Sequence, residues 1–544
     1  MKNLWKALLM VRRCDPWSFR RRLLYELLQS LLPLLSLYIL KLLIDSVTNP
    51  ESNISLFNFQ FSPFTLLLAL CLVFLLNRIV SALSSVNNDV LSQRLIDHVS
   101  DLLQRQSARL DMQYYDTPAY HDTLHRAQQE ASYRPLQIMT NFMALGGSMV
   151  SIIGVVAMLL TASWWVIVVM VAAVLPGFAV RLYKARRIYR FRRENTQSYR
   201  RTAYYSAILT AREFAKELRT FNLAPLFRGR FVEVRKQLVG RLLSISRRLG
   251  MLDILCAFIE AAAMFAIVWL LLDQAFAGAI TIGTFVMLFE AFRRGQGYLR
   301  NLVGGIAGLY DNRLFIGNLF EFLSLKPTIV DPVDAVEVPG EITQVEFRNI
   351  TFRYPDMDRD VLKDFSLTAR KGQITRIDGY NGFGKSTLVK LLLRLYDPDA
   401  GSVLLDGIDI RRFQPRQLRG TIGVLFQDFA RFNCTMTENV SFGTPDGEAD
   451  IQRALALSGA DKVADRLPKG VDTLLGRLFD GGSELSMGQW QRVALARALA
   501  SDAPILILDE PSAWLDHDAR GHLDETLQKL KEDKIIIIIT HSQQ

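Results

Sequence analysis

Six apolar runs, each close to the roughly 20 residues needed to cross a bilayer core, crowd the first 302 positions at 23–43, 64–86, 136–160, 164–183, 252–272 and 284–302. A chain built this way folds its first part as a helical bundle, because only helices and closed barrels satisfy backbone groups in lipid. Two runs are interrupted, the second by Asn77 and Arg78 and the sixth by Glu290, Arg293 and Arg294, so for these a buried helix outside lipid is the competing reading. Residues 87–135 and 184–250 are polar, with apolar residues at three- and four-residue spacing, and read as helices that carry the spans beyond the bilayer. Their reversal points fall at Tyr114-Tyr115-Asp116-Thr117-Pro118 and at Ala211 to Glu217, where a plain solvated turn is the alternative.

Charge placement supplies a topology. The chain has 544 residues with 64 Lys plus Arg against 54 Asp plus Glu, a net +10 that by itself admits nucleic acid, an anionic membrane surface or membrane orientation. Residues 181–250 hold 19 basic and 4 acidic side chains, or +15, so the remainder nets 10 − 15, or −5. Lys2, Lys6, Arg12, Arg13, Arg20, Arg21 and Arg22 precede the first span, whereas 45–63, 161–163 and 273–283 contain no Lys or Arg. Basic residues concentrate in loops kept on the cytoplasmic side, which predicts a multi-pass membrane protein with six spans and both termini cytoplasmic. Orientation accounts for the basic loop without nucleic acid as a partner; membrane lipid is the expected one. No small-residue cleavage site follows the first run, so it reads as a retained span. Cys14, Cys71, Cys256 and Cys434 lie far apart without a CxxC pair, and neither a disulfide scaffold nor a zinc site is indicated.

Composition shifts at 326–340 to Pro, Asp, Val and Glu, a linker between a domain at 1–325 and one at 341–544. The second domain alternates strands and helices, as α/β folds do. Within it Gly379-Tyr380-Asn381-Gly382-Phe383-Gly384-Lys385-Ser386-Thr387 fits GxxxxGK[ST] between a strand at 374–377 and a helix at 388–395. Glycines there let backbone N–H groups close around phosphate oxygens at a helix N-terminus. Lys385 then reaches the β- and γ-phosphates, Ser386 offers a hydroxyl to Mg²⁺, and Thr387 is expected to cap the helix. A strand at 505–508, apolar on both faces, ends in Asp509-Glu510 at the carboxyl edge where ligands of such sheets bind. Asp509 is placed to hold Mg²⁺ and Glu510 to polarise the water attacking the γ-phosphate. A further strand at 535–539 leads to His541, which is either structural or a hydrogen-bond donor to that phosphate.

Together these residues resemble an ABC transporter of the exporter type, in which a membrane domain and a nucleotide-binding domain share one chain. The most specific match is Leu485-Ser486-Met487-Gly488-Gln489-Trp490-Gln491-Arg492, similar to the LSGGQ signature with Met487 in place of the first glycine. The resemblance implies a multi-domain fold, an all-α six-span transmembrane domain followed by an α/β P-loop ABC ATPase domain. It implies Tyr354 as the aromatic that stacks on adenine, Gln427 as a Q-loop glutamine that contacts the metal, and Ser512 to Asp516 as the D-loop. Gly379, Asn381, Gly382, Gly384, Lys385, Ser386 and Thr387 would bind ATP, as would Ser486, Gly488, Gln489 and Asp516. The signature would act in trans on ATP held by a partner, which makes this chain a half-transporter with ATP and Mg²⁺ as cofactors. Tyr114 to Pro118 and Ala211 to Glu217 would be coupling helices. No catalytic motif residue is lost, which favours a homodimer over a heterodimer. The chain stops three residues beyond His541, where family members continue, so a trimmed C-terminus is expected.

The function so implied is ATP-driven export of a peptide, lipid-like or drug-like cargo across a bacterial cytoplasmic (inner) membrane. Alternatives are an ATP-binding sensor or immunity protein without net transport, and a lipid flippase. Arg78, Asp253, Glu260, Glu290, Arg293 and Arg294 are ionisable groups inside spans, and either line a cargo cavity, pair within the bundle or lie beyond the lipid where helices extend into the cytoplasm.

Overall fold

The computed structural model describes residues 2–48, 55–56, 59–60, 62–117, 124, 134–161, 164–355, 357–379, 384–444 and 450–540. Contacts divide the chain into two units, one of Met1–Ser107 with Thr123–Ser324 and one of Ala108–Asp122 with Leu325–Gln544.

The first unit is helical. A short helix, Lys2–Cys14, turns at Asp15 into Pro16–Thr48, and Pro63–Arg109, Arg134–Leu160, Trp164–Glu194, Thr196–Thr210, Ala224–Phe276 and Ile282–Ser324 follow. Five of these are long and apolar enough to cross a membrane: Pro16–Thr48, Pro63–Arg109, Arg134–Leu160, the part Trp164–Ile188, and Ala224–Phe276. The sixth run expected from the sequence lies on the helix Ile282–Ser324, which is not among the five. Glu290, Arg293, Arg294 and Arg300 dilute its apolar content, and its start packs into the bundle, with Met287, Leu288, Ala291 and Phe292 buried in one cluster with Leu34, Leu37, Val155 and Met170. The second run, despite Asn77 and Arg78, keeps a mean hydropathy of 2.4 over its best window. Outward apolar side chains such as Phe74, Ile153, Phe258, Phe265 and Trp269 stay exposed, as a lipid-facing surface requires. Small residues bring the helices together: a Cβ at Gly154 would lie 2.2 Å from Cδ1 of Leu34.

The ionisable groups proposed for a cavity are mostly paired. Glu290 bonds Arg293 at 2.8 Å and lies 3.6 Å from Arg294, Arg294 also donates to the carbonyl of Pro33, Glu260 meets Arg300, and Asp253 lies 3.4 Å from Lys184. Pairing inside the bundle is therefore the reading the geometry gives for five of the six. Arg78 is exposed and has no ion-pair partner among the described residues.

The second unit is α/β. Its central sheet is wholly parallel, in the order Ile374–Asp378, Ile535–Thr540, Ile505–Asp509, Ile422–Leu425, with Ile539 opposite Asp509 and Thr540 opposite Asp378. Ile505 to Asp509 and Ile535 to Ile539 are buried throughout, as strands covered on both faces must be. An antiparallel sheet orders Leu362–Arg370, Gln344–Phe352, Ala400–Leu405 and Ile408–Asp409. The register matters for chemistry because it brings Asp378, Thr540 and Asp509 level at one carboxyl edge, so the loops that leave these strands converge. The segment Ala108–Asp122 belongs to this unit through specific bonds. Asp111 accepts from Thr328 Oγ1 at 2.8 Å, the hydroxyl of Tyr114 donates to the carbonyl of Lys326 at 2.9 Å, and Asp116 accepts from Tyr396 and lies 3.6 Å from Lys390. Burial and the Asp116 carboxylate push the Tyr396 phenol well above its usual value. The other reversal point forms a 3₁₀ turn, Arg212–Phe214, and a helix, Ala215–Thr220, in the first unit.

Candidate nucleotide-binding site

The phosphate loop leaves the strand Ile374–Asp378 and ends where the helix Lys385–Leu392 begins. Gly384 is the N-cap of that helix with φ +85°, a left-handed conformation open mainly to glycine, and a Cβ there would fall 2.8 Å from Leu362 Cδ2. Sequence expectation put the cap at Thr387, but that residue lies three positions inside the helix. Its side chain is used elsewhere: Thr387 Oγ1 is 3.1 Å from the Tyr354 hydroxyl. Tyr354 is held edge-on by Phe352 and Tyr396, with ring centroids 5.0 and 5.4 Å away. Asn381, Gly382 and His541 lie outside the described residues, while Gly379 is described and its carbonyl accepts from Lys385 Nζ.

Lys385 is buried, and its ammonium also bonds the carbonyl of Thr540 at 3.0 Å, so the ends of two strands fix it. Ser386 Oγ donates to Asp509 Oδ2 at 2.8 Å. Asp509 is only 3% exposed, and its other oxygen, Oδ1, has no hydrogen-bond partner among the described residues. Burial pushes the Asp509 carboxyl above the ordinary range, opposed by the Ser386 hydroxyl and reinforced by the neighbouring Glu510. A buried carboxylate with an unanswered oxygen is a costly arrangement unless a cation completes it.

Glu510 adopts φ +52°, a conformation that costs a non-glycine residue about 1–3 kcal/mol. Three hydrogen bonds hold this turn. The Glu510 N–H donates to Ile539 O at 3.0 Å, its carbonyl accepts from Gln491 Nε2 at 3.0 Å, and Gln491 Oε1 accepts from the Trp514 N–H at 3.0 Å. Gln491 is 2% exposed and thereby ties the helix Met487–Ala500 to both the turn at Glu510 and the segment at Trp514. Gln491 lies in the signature-like segment 485–492, whose resemblance implies no role for it. The available signal was a polar amide set among the buried Trp490, Val493 and Ala494.

These groups surround a cavity of about 750 Å³ lined by Tyr354, Gly384, Lys385, Ser386, Thr387, Gln427, Asp509 and Glu510. Met357, Arg359, Asp360 and Val361, not singled out from sequence, complete the side nearest Tyr354. The signature residues are not part of this lining. Ser486 caps Met487–Ala500, its Oγ accepting the Gln489 N–H at 3.3 Å while Gln489 Oε1 accepts the Ser486 N–H at 2.8 Å. Gln489, expected from sequence to touch ATP, thus spends its side chain on the cap. Gly488 has no room for a side chain, because a Cβ would fall 2.4 Å from the carbonyl oxygen of Trp514. Asp516 caps His517–Leu530 and pairs with Arg492 at 2.9 Å.

Residues 362–513 match the family model described as ABC transporter. The chain is 28% identical over 99% of its length to the subtilin transport ATP-binding protein SpaT of Bacillus subtilis, covering 88% of that protein. It is 27% identical over 94% of its length to the nisin transport ATP-binding protein NisT of Lactococcus lactis subsp. lactis, covering 84% of it. An ATP-dependent lipid A-core flippase of Pseudomonas putida is 32% identical over 71% of the chain, which covers 63% of that protein. Among solved structures, a bacterial Atm1-family ABC exporter with ATP bound shares the fold, with a TM-score of 0.77 over 97% of this chain and 92% of the other at 22% identity. The chain therefore carries an ABC transporter ATP-binding domain behind a helical membrane domain and is homologous to ABC exporters along its whole length.

Proposed function

We propose that two copies of this chain form an ATP-driven exporter of a bacterial cytoplasmic membrane, with 1–325 as the membrane domain, 326–340 as linker and 341–544 as the motor. The observation that carries this reading is the 750 Å³ cavity, where a lysine, a hydroxyl, a buried carboxylate and a strained glutamate meet at the carboxyl edge of a parallel sheet. Tyr354 offers its ring to adenine beside Arg359. Lys385, with the N-terminus of its helix, is placed to hold the β- and γ-phosphates, exchanging its bonds to the Gly379 and Thr540 carbonyls for phosphate oxygens. The donor set suits Mg²⁺, which takes one or two protein oxygens alongside substrate phosphates. Ser386 Oγ and the unpartnered Oδ1 of Asp509 would hold it, with Gln427 beside them. When bound, Mg²⁺ neutralises charge on the β- and γ-phosphates. Glu510 accepts the proton of the attacking water, and the bonds from its own N–H to Ile539 O and from Gln491 Nε2 to its carbonyl hold the backbone that carries the carboxylate. His541, next after Thr540, is proposed to donate to the γ-phosphate.

Ser486 and Gly488 lie outside the cavity of their own chain, which supports a second copy as the source of a signature helix whose N-terminus faces the γ-phosphate. The excess of Lys and Arg at 181–250 supports cytoplasmic termini. The relatives aligned nearly end to end are named for subtilin and nisin transport, which supports an amphipathic peptide as cargo over a lipid. In inside-out vesicles carrying the chain, ATP is expected to drive accumulation of a fluorescent cationic amphipathic peptide, and Glu510→Gln vesicles should accumulate only the ATP-independent background. Equal accumulation in the two would remove the motor role, and ATP-driven movement of labelled lipid without peptide would move the reading to a flippase.

A further inference from the structure

A second cavity, of about 450 Å³, lies within the helical unit and takes no part in the nucleotide site. It is enclosed by Lys2–Cys14, Pro16–Thr48 and Arg134–Leu160. Its volume falls in the roughly 300–1,000 Å³ range of small-molecule sites. The cavity exists because of how these helices meet. Lys2–Cys14 buries one face, Ala7, Leu8, Met10 and Val11, against the bundle, and the chain then turns back at Asp15, whose carboxylate accepts the Ser18 N–H at 3.0 Å and pairs with Arg94. Gly146 leaves the remaining gap open, since a Cβ built there meets nothing within 4 Å. Its neighbour Gly147 is in tight contact instead, a Cβ there lying 2.5 Å from Glu26 Oε1.

The walls are apolar, and Trp5, Leu23, Leu27 and Phe142 among them are exposed by 61, 48, 46 and 39%. Two charged side chains line the space. Glu26 is answered by Arg22 at 3.1 Å, whereas Arg12 is exposed and has no ion-pair partner among the described residues. An apolar slot with one unanswered cation fits a molecule with a hydrocarbon tail and an anionic head. A cationic peptide is disfavoured, because Lys6 and Arg13 on the same helix add to the repulsion from Arg12. We propose that this cavity is a binding site for an anionic phospholipid, one acyl chain lying between the three helices and the phosphate bonded by the Arg12 guanidinium. Arginine suits this role because its fork of donors meets phosphate oxygens in pairs. The bound lipid would wedge Lys2–Cys14 against the spans and hold it to the membrane surface.

The full chain is reconstituted in vesicles containing, in separate arms, phosphatidylglycerol, phosphatidylcholine or a free fatty acid, each with a photoactivatable diazirine on the acyl chain, and crosslinked peptides are mapped by mass spectrometry. Labelling is expected to concentrate on segments 5–27 and 142–150 above the level of lipid-facing segment 254–269, and to be strongest with phosphatidylglycerol. Gly146→Phe, which projects a ring into the open space, should bring both segments down to that level while basal ATP turnover persists. Arg12→Ala should lower the preference for phosphatidylglycerol over phosphatidylcholine about fivefold, the effect of roughly one basic residue at an anionic surface. Should Gly146→Phe not fold, Gly146→Leu and the Arg12→Ala ratio carry the test. Uniform labelling along all spans, labelling unchanged by the filled cavity, a lipid preference unchanged in Arg12→Ala, or fatty acid labelling as strong as phosphatidylglycerol would each overturn the proposal.

Discussion

Exchanging Glu510 for Gln is expected to lower Mg²⁺-dependent ATP turnover about a hundredfold, within the range that general-base catalysis supplies, while ATP still binds. The substitution keeps side-chain size, and the bonds that hold the turn, from the Glu510 N–H to Ile539 O and from Gln491 Nε2 to the Glu510 carbonyl, use only main-chain atoms of residue 510 and survive it. Lys385, Ser386 and Asp509, which would bind the phosphates and metal, are untouched. Only the capacity to accept a proton is removed. Phosphate release at saturating ATP, measured beside nucleotide affinity, separates the two effects. Equal turnover in the variant would sink the assigned role.

Gly488→Ala is expected to produce a similar loss by a different route. Because the added methyl would fall 2.4 Å from the Trp514 carbonyl oxygen, either the start of Met487–Ala500 or the segment at Trp514 must move. A shift of the helix start displaces the N-terminal N–H groups of the signature helix, which would face the γ-phosphate held by a second copy. Loss of one aligned donor to a transition-state phosphate lowers turnover roughly 10²-fold. The cavity of the same chain lacks Gly488 in its lining, so ATP affinity of the isolated chain should change little. Loss of binding and turnover together would place the signature in the chain's own site instead.

Much of this architecture was legible because its signals are local. The strand before the phosphate loop, the buried strands ending at Asp509 and Thr540, and the apolar runs each announce themselves by period, length and flanking residues. What escaped depended on three-dimensional neighbours. Thr387 reads as a cap by composition, yet the positive φ of Gly384 takes that place and Tyr354 claims the hydroxyl. Gln491 looks like one more polar residue on a helix until the turn at Glu510 folds onto it. Asp111 to Asp116 bond residues more than 200 positions away, among them Thr328 and Tyr396, and no periodicity encodes such a pairing. The sixth helix failed the apolarity expected of it because Glu290 and Arg293 bond each other, which lets charges persist on a helix whose opposite face is buried.

Each ATP is proposed to be held by the phosphate loop of one copy and the signature of another, and co-expression of two inactive chains, one carrying Lys385→Ala and one carrying Gly488→Ala, tests this through the ATP turnover of the purified mixture. Each homodimer has two damaged sites, but the mixed dimer combines an intact phosphate loop with an intact signature at one of its two sites. If subunits pair at random, half of the dimers are mixed and about a quarter of wild-type turnover returns. Turnover no higher than that of either variant alone, with mixed dimers present by pull-down on two different tags, would contradict the account.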